Sequence, residues 1–258
     1  MLMMTAGSRG DVEPFVALAR RAVREGHTVR LGVTREFVDT AIAAGIDAVA
    51  LDGDYAELVA DQGVSPLATI RSFRTTIVPM MTALLRSSTQ IALDFKPDVI
   101  VNHPKLLSAP LAAAKLDIPH VLCEIVPVVT PTREFPAAGV TTVDLGPLNP
   151  LTYRATGAAN RMFAGPLREV GAELGLRPGA AVAPAVRSLV PISPSLLTRP
   201  ADWPASTVIT GAWHQLGRDA EPDAELVEFL AAGDVVYAGF GSMAAGDAVA
   251  RGRAVVGA

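Results

Sequence analysis

Short apolar runs alternate with amphipathic stretches along most of this chain of 258 residues. The runs have the length and composition of buried parallel strands, whereas the stretches between them carry apolar residues at helical spacing. After the first run, these apolar positions are Phe15, Leu18 and Val23, and charged residues occupy the other face. The alternation is typical of βαβ units and predicts the α/β class, with a Rossmann-like parallel sheet covered by helices on both faces.

Seven runs are predicted to be strands, and they span residues 2–5, 28–33, 46–51, 98–101, 120–125, 189–192 and 208–210. A helical pattern over residues 67–93, interrupted at Pro79, follows the third run and is a candidate wall of a substrate pocket. The proline-rich stretch 126–150 is longer than a structural loop needs to be, so we interpret it as a substrate loop. A helix is predicted to follow over about residues 151–174.

The chain is predicted to contain one domain and the start of another. Residues 1–197 form the first domain, and the proline-rich residues 198–222 form an interdomain linker. Beyond it, residues 223–232 have a helical pattern and residues 235–238 have the pattern of a strand. Because a lone strand and helix cannot bury their apolar faces, we expect residues 223–258 to be the truncated start of a second Rossmann-like domain.

Charge and cysteine usage exclude several classes of protein. A net charge of -4 and a pI near 5.6 give no electrostatic reason to bind nucleic acid or an anionic membrane. The start of the chain lacks a signal-peptide pattern, and charged residues interrupt every long apolar stretch, so we expect no membrane span and a cytoplasmic location. The single cysteine, Cys123, fits a reducing compartment and is expected to be a small buried hydrophobic residue.

A glycine-rich turn joins the first strand to the first helix, with the sequence Thr5-Ala6-Gly7-Ser8-Arg9-Gly10-Asp11-Val12-Glu13-Pro14. Ligands of open α/β sheets bind at the carboxyl ends of strands, where this turn lies. Its backbone amides and the helix N-terminus favour an anion, and Arg9 offers a bidentate phosphate contact. Only Gly7 and Gly10 fit the dinucleotide fingerprint, and no acidic residue closes the second strand, which disfavours an NAD-dependent oxidoreductase.

Asp11 has two interpretations at this position. An Asp beside a helix start is often an N-cap, which is a structural role. Pro14, however, suits the first helical position, which makes Glu13 the cap and leaves Asp11 in the loop before the helix. There it would be available as a catalytic carboxylate.

Residues 7–14 resemble the opening motif of the glycosyltransferases that include sterol glucosyltransferases and bacterial enzymes acting on glycopeptide and macrolide-type natural products. Asp202-Trp203-Pro204, with Thr210-Gly211-Ala212-Trp213, is similar to the interdomain segment of this family. Residues 235–243 are similar to the first strand and turn of its donor domain. The three motifs keep the family's order over nearly the whole chain. The resemblance implies a GT-B fold, in which two Rossmann-like domains face a cleft and residues 1–197 bind the acceptor.

The resemblance also implies the chemistry. Members transfer a hexose from a UDP- or dTDP-sugar to a hydroxyl of a lipidic, sterol-like or natural-product acceptor, with inversion and without a metal or other cofactor. By correspondence, Asp11 is the general base that takes the proton of the acceptor hydroxyl. The family's contacts to the donor correspond to Ser8, Arg9, Gly10, Gly241 and Ser242.

Three ring side chains near these motifs have structural alternatives. His103 follows the fourth predicted strand, and a pairing with Asp11 would reverse the order in some plant relatives, where the His lies in the first loop and the Asp follows the later strand. A structural or solvated His103 is the alternative. For Trp203 and Trp213, packing between domains is a simpler interpretation than sugar stacking.

Two hypotheses of different classes follow. In the first, the chain is a fragment of a hexosyltransferase and is inactive in isolation, because the donor-domain motif that grips the sugar and nucleotide is absent from it. In the second, it is a stand-alone module that binds the acceptor without catalysis. The expected partners are a hydrophobic small-molecule acceptor and a nucleotide sugar. The fold by itself does not discriminate between the two hypotheses.

Overall fold

A computed structural model of the chain describes residues 1–53, 73–177, 182–214, 222–238 and 248–257. The chain divides into two compact units, Met1–His214 and Gln215–Ala258. Within the described ranges, no helix is both long enough and apolar enough to cross a membrane. The same ranges contain no group of three or more His, Cys, Asp or Glu side chains arranged to hold a metal ion.

The first unit is built on a seven-stranded parallel sheet, which confirms the predicted Rossmann-like α/β class. In chain order the strands are β1 (Leu2–Met4), β2 (Arg30–Thr34), β3 (Asp47–Leu51), β4 (Ile100–Asn102), β5 (His120–Cys123), β6 (Arg187–Val190) and β7 (Thr207–Ile209). Their spatial order is β3-β2-β1-β4-β5-β6-β7, and every neighbouring pair is parallel. Each predicted run overlaps one strand. β7 falls inside the range 198–222 that the sequence assigns to a linker, and it forms an edge of the sheet.

The helices of the first unit are α1 (Arg9–Arg24), α2 (Val38–Ala43), α3 (Val78–Phe95), α4 (Ala109–Leu116), α5 (Pro150–Arg161) and α6 (Ala164–Glu173). Pro79 lies in the first turn of α3, where a missing N–H costs nothing, and therefore does not interrupt a helix. A π-helical turn, Phe73–Ile77, precedes α3, and the earlier part of the predicted 67–93 stretch lies outside the described residues. The single helix predicted over 151–174 is two helices, α5 and α6.

Two hydrophobic cores cover the two faces of the sheet, because successive strand residues point to opposite sides. Leu2 and Met4 pack with α3, α4 and α6 on one face. Met3 packs with α1 and α2 on the other face. Cys123 is fully buried in this second core, as the sequence predicts. The carboxyl ends of the strands, and the loops that follow them, are thereby left at one edge of a rigid platform.

Helix α1 begins at Arg9, earlier than the sequence predicts. Ser8 is its N-cap and Asp11 is its third residue. The Asp11 carboxylate accepts the backbone N–H of Ser8 at 2.8 Å, which satisfies an amide that has no partner within the helix. The prediction that Glu13 caps the helix and leaves Asp11 in the preceding loop is therefore wrong. Asp11 therefore has a structural role at the start of the helix, and this role is compatible with a catalytic one.

The second unit contains helices α7 (Ala224–Ala231) and α8 (Ala248–Val256). The strand predicted over residues 235–238 is not formed, and Val236 and Tyr237 are 93% and 90% exposed. A strand needs a neighbour for its backbone hydrogen bonds, and none of the described residues of this unit supplies one. The prediction of a strand at this position is wrong for the chain as it stands.

Candidate functional site

The strand order of the sheet reverses between β1 and β4. From β1 the chain proceeds outward through β2 and β3 on one side, and from β4 through β5, β6 and β7 on the other. The loops after β1 and β4 therefore leave the sheet in opposite directions and open a crevice between them, which is where open α/β sheets bind ligands. The backbone N–H of His103 donates to the carbonyl of Met4 at 2.9 Å, so the two strand ends are bonded side by side.

The carboxylate of Asp11 lies in this crevice and accepts hydrogen bonds from both loops. Its Oδ2 accepts the Ser8 backbone N–H at 2.8 Å, the Ser8 hydroxyl at 3.2 Å and Lys105 Nζ at 3.0 Å. Its Oδ1 lies 3.3 Å from Nε2 of His103. The side chain remains 19% exposed, so a small molecule can reach it. The pairing of Asp11 with His103 that the sequence suggests is thus present in the structure.

His103 is enclosed by its surroundings. Its side chain is only 7% exposed, and its ring meets the ring of Phe15 edge-on at 6.5 Å between centroids. The amide of Asn102 donates to its carbonyl oxygen at 3.3 Å, and the Lys105 backbone N–H donates to its Nδ1 at 3.2 Å. The alternative of a solvated His103 is therefore wrong.

The pKa values in this cluster follow from burial and charge. Burial alone raises the pKa of Asp11, but the hydrogen bond from His103 and the positive charge of Lys105 outweigh it, so that the pKa lies well below its ordinary value. Burial lowers the pKa of His103, and the attraction of Asp11 offsets this only in part. Asp11 is consequently ionised and His103 neutral at neutral pH.

Gly7 provides the space for this cluster. Its φ is +137°, and a Cβ placed on it would overlap both Asp11 Oδ2 and Lys105 Nζ. Any side chain at position 7 would therefore displace the ion pair as well as strain the backbone. Glycine is therefore favoured at position 7 for two reasons, the positive φ and the close packing against the carboxylate.

The other predicted contact residues of the first loop surround Asp11. Ser8 caps α1 and holds Asp11, whereas Arg9 and Gly10 form the exposed first turn of the helix. Arg9 is 72% exposed and its only ion pair among the described residues, to Glu13, is long at 3.9 Å, so its guanidinium is accessible to an anion. Gly241 and Ser242, the predicted contacts from the second unit, lie outside the described residues.

A second carboxylate, Glu124, organises the predicted substrate loop. It follows β5 directly and is fully buried. Its Oε2 accepts the backbone N–H groups of Val128, Val129 and Thr130 at 3.3, 2.8 and 3.0 Å. Its Oε1 accepts the hydroxyls of Thr130 and Ser188 at 2.5 and 2.6 Å. The chain after β5 is thereby folded back around one side chain.

The next part of this loop is fastened to the segment before β7. Asp202 accepts the hydroxyl of Thr132 at 2.6 Å and the backbone N–H of Arg133 at 2.8 Å. The backbone N–H of Ala201 donates to Glu134 at 2.9 Å. Together with the bonds to Glu124, these bonds hold residues 128–134 at the same edge of the sheet as Asp11.

Comparison with known proteins identifies the family. Residues 1–130, half of the chain, match the glycosyltransferase family 28 N-terminal domain. The chain belongs to glycosyltransferase family 28. The matched part contains β1 to β5 and every residue of the Asp11 cluster.

Relatives of this family 28 chain include sterol 3-beta-glucosyltransferases of a plant and a yeast. The enzyme UGT80A2 of Arabidopsis thaliana is 31% identical over 265 residues, covering 94% of this chain and 41% of the relative. The enzyme of Yarrowia lipolytica is 30% identical over 275 residues, covering 98% of this chain and 18% of the relative. The chain therefore spans less than half the length of the curated relatives it matches.

Solved glycosyltransferase structures share the fold. The calicheamicin glycosyltransferase CalG4 superposes with a TM-score of 0.58 at 18% identity, over 82% of this chain and 52% of that one. The glycosyltransferase of kitacinnamycin superposes with a TM-score of 0.57 at 21% identity, over 86% of this chain and 53% of that one. At these identities the likeness concerns the fold, and it confirms the GT-B assignment of the N-terminal domain.

Three side chains that the sequence analysis considered for binding or interdomain contacts pack against other residues of the first unit. Trp203 is 4% exposed and meets Phe135 edge-on at 6.2 Å, and Trp213 packs on the second core, so these contacts lie within the first unit. Met81, which lies in the stretch 67–93 predicted as a wall of a substrate pocket, is 8% exposed and belongs to the first core.

Two residues of the site were missed from the sequence. Lys105 contacts Asp11, and its only signal was a position two residues after His103 at the end of a predicted strand. Glu124 is one of the charged residues that interrupt the long apolar stretches of the sequence, which gives it no functional signal of its own. A carboxylate at the end of a buried strand, followed by a proline-rich loop, was nevertheless a signal that some group must neutralise or bond it.

Proposed function

We propose that this chain is the acceptor-binding part of an enzyme that transfers a hexose from a UDP- or dTDP-sugar to a hydroxyl of a sterol-like or other lipidic acceptor, with inversion. The single observation that carries the proposal is the ionised, partly accessible Asp11 at the crevice between β1 and β4 of a family 28 domain. The names of the sterol 3-beta-glucosyltransferase relatives support the class of acceptor. The antibiotic-related structural neighbours keep natural products among the candidates.

In the proposed reaction, Asp11 is the general base. An alcohol is a poor nucleophile unless a base takes its proton as it attacks. The acceptor oxygen forms a bond to C1 of the sugar from the face opposite the leaving group, and its proton moves to the Asp11 carboxylate. The bond between C1 and the diphosphate oxygen breaks at the same time, and its electron pair leaves with the nucleotide diphosphate. One displacement of this kind inverts the anomeric carbon.

The donor diphosphate is proposed to bind at the start of α1. Ser8, Arg9 and Gly10 lie at the N-terminus of α1, where the helix dipole and the exposed guanidinium favour a diphosphate. Gly241 and Ser242 are proposed as further contacts to the donor because they correspond to donor contacts in the family that the motif resembles; both lie outside the described residues. Such amides and cations would stabilise the charge that grows on the leaving group.

An activity assay tests the proposal with two forms of the protein. The full-length protein is this chain together with the donor-binding domain that we propose follows it. It is incubated with UDP-glucose or a dTDP-sugar and a panel of sterols, macrolides and simple alcohols, and products are identified by mass spectrometry. We expect a glycoside of a polycyclic or lipidic alcohol from the full-length protein, and none from the 258-residue chain. Full-length protein that binds these alcohols without forming glycoside from any donor would identify a binding module and refute the proposal.

A further inference from the structure

The two oxygens of Asp11 are not equivalent. A carboxylate has about four lone-pair positions, two on each oxygen. Oδ2 already accepts three donors, the Ser8 amide, the Ser8 hydroxyl and the Lys105 ammonium. Among the residues that the structure describes, Oδ1 has one polar neighbour, Nε2 of His103 at 3.3 Å. A proton taken from a substrate can therefore be received only at Oδ1, on the lone pair that His103 does not face.

The protonation of the His103 ring follows from its other nitrogen. Nδ1 lies 3.2 Å from the backbone N–H of Lys105, which is a donor, so Nδ1 must be the acceptor and carries no proton. The neutral ring then carries its proton on Nε2 and donates it to Asp11 Oδ1. A second proton on the ring would set two donors, Nδ1–H and the Lys105 amide, against each other. The hydrogen-bond network thus assigns the tautomer.

Lys105 acts on the pair through two different groups. Its backbone N–H fixes the His103 tautomer, and its ammonium group contacts Asp11 Oδ2. These functions are separable, because a substitution of the side chain leaves the backbone donor in place. Gly7 makes the second contact possible by leaving room beside the carboxylate.

We propose that His103 and Lys105 are positioning residues of the reaction, which turn Asp11 so that only Oδ1 can receive the acceptor proton, and that His103 itself never takes that proton. His103 has no free lone pair for it, since Nε2 carries a hydrogen and Nδ1 faces an amide. This inference rests on the proposed function for its kinetic consequence, but the state of the ring can be measured without any turnover. In this proposal the carboxylate is the base and the histidine orients it, which is the reverse of sites where a histidine is the base and a carboxylate orients it.

The state of the ring is tested by NMR on the 258-residue chain. Long-range 1H–15N spectra distinguish the Nε2–H tautomer, the Nδ1–H tautomer and the doubly protonated ring, and the His103→Gln variant assigns the signal among the four histidines. We expect the Nε2–H pattern at neutral pH and its persistence below the ordinary histidine pKa of about 6.5. A doubly protonated ring at neutral pH, or the Nδ1–H pattern, would overturn the proposal.

A side-chain variant of Lys105 separates its two functions in the same chain. Lys105→Met keeps the backbone donor, so the Nε2–H pattern of His103 should be unchanged. The pKa of the Asp11 carboxyl, followed by its 13C shift, should move upward toward the ordinary value because the ammonium charge is gone. A changed tautomer, or an unmoved Asp11 pKa, would show that Lys105 does not act in the way proposed.

Kinetics of the full-length protein test the function of the pair. His103→Leu removes the donor to Oδ1 and should lower kcat by roughly 10- to 100-fold with little change in the acceptor KM. His103→Gln offers an amide N–H at a similar reach and should restore most of that loss. If the Gln variant were as slow as the Leu variant, at the roughly 10²- to 10⁴-fold loss typical of a missing base, His103 would be the base and the proposal wrong. Absence of any glycoside from the wild-type protein would refute the proposed function and leave the NMR result standing.

Discussion

Two carboxylates lie near the carboxyl ends of strands in the same sheet, and they differ in their exposure and in the groups that donate hydrogen bonds to them. Asp11, beyond β1, is held by the side chains of Lys105 and His103 from another loop, and it is 19% exposed. Glu124, after β5, is fully buried and bonded to three backbone amides and two hydroxyls, all of them neutral groups. Both carboxylates are therefore well supplied with donors, at four and five contacts respectively.

The difference in surroundings fits the different functions that we propose for the two groups. The backbone donors of Glu124 belong to the chain it folds, so removing the carboxylate exposes unpaired amides inside the protein. The partners of Asp11 include the ammonium group of Lys105, whose side chain is 40% exposed, so water can replace this contact at lower cost. A partly exposed carboxylate in an accessible crevice is suited to proton transfer, whereas a fully buried carboxylate bonded to backbone amides is suited to holding a loop in place.

The largest effect is expected from Asp11→Asn in the full-length protein. The amide keeps the shape of the side chain and can still accept from Ser8, but it cannot take a proton. We expect kcat to fall by about 10²- to 10⁴-fold, with the acceptor KM little changed. Steady-state kinetics of glycoside formation provide the measurement.

The control for this variant is its stability. If kcat stayed within a few-fold of wild type while the melting temperature dropped, Asp11 would be a helix-capping residue with no part in the reaction. That result would remove the contrast between the two carboxylates, since both would then be structural.

Substitutions of Glu124 should lower the stability of the protein, and two variants test this. In Glu124→Gln, the amide oxygen can face the three backbone donors, while its NH2 donates to the hydroxyls of Thr130 and Ser188, which can turn to accept. We expect a loss of about 1 kcal/mol in the free energy of unfolding. Glu124→Ala leaves the backbone amides unpaired and buried, and we expect a loss of about 3 kcal/mol or more.

Urea unfolding of the 258-residue chain, followed by circular dichroism, measures both losses. The ranking of the two variants is the decisive result, because it depends on where the donors lie. Equal losses would mean that the charge of Glu124 matters and the geometry of its partners does not. A negligible loss for Glu124→Ala would show that the loop after β5 does not depend on this residue.

Acid should weaken the stabilising contribution of Asp11. The folded-state pKa of this group is below its unfolded value of about 3.9, so its contribution is complete above that pH and is lost as the pH falls through the folded-state pKa. The difference in unfolding free energy between wild type and Asp11→Asn should therefore be constant near neutral pH and shrink below about pH 4. Urea titrations at several pH values measure this difference, and a difference independent of pH down to the acid limit would contradict the ionised state assigned to Asp11.

The smallest effect on stability is expected from Arg9→Ala. The guanidinium is 72% exposed and its ion pair with Glu13 is long, so the unfolding free energy should change by less than about 0.5 kcal/mol. In the full-length protein, the same change should raise the KM for the nucleotide sugar several-fold, because a cation at the proposed diphosphate site is lost. Arg9→Lys is the matched control, since it keeps the charge without the bidentate geometry. An unchanged donor KM in both variants would remove Arg9 from the donor site.

The sheet was predictable because its signal is local. Each strand is a short apolar run, and each predicted run overlaps an observed strand. The start of α1 was missed because Pro14 suggested a first helical position, whereas the observed start depends on the contact between Asp11 and the Ser8 amide. Residues 235–238 have the composition of a strand, but a strand also requires a neighbour, which a local pattern cannot supply.

The site was predictable in part. Asp11 was identified through the motif that contains it, and His103 through its place after a strand. Lys105 was not, because its contact with Asp11 depends on the adjacency of β1 and β4, a property of the whole sheet. The bonding of Glu124 was hidden for the same reason, since Ser188 lies 64 positions away in the chain.

The adjacency of β1 and β4 also has a consequence for biosynthesis. Asp11 and Lys105 are 94 positions apart, so the carboxylate leaves the ribosome long before its partner. At about 5–20 residues per second, the delay is roughly 5–20 s. During that interval β1 can pair with β2 on one side while its other edge, the place of β4, stays open. A nascent chain of this kind exposes an unpaired strand edge, which is a hazard for aggregation and a natural target for chaperones. The arrival of β4 closes that edge and assembles the Asp11 cluster in the same event.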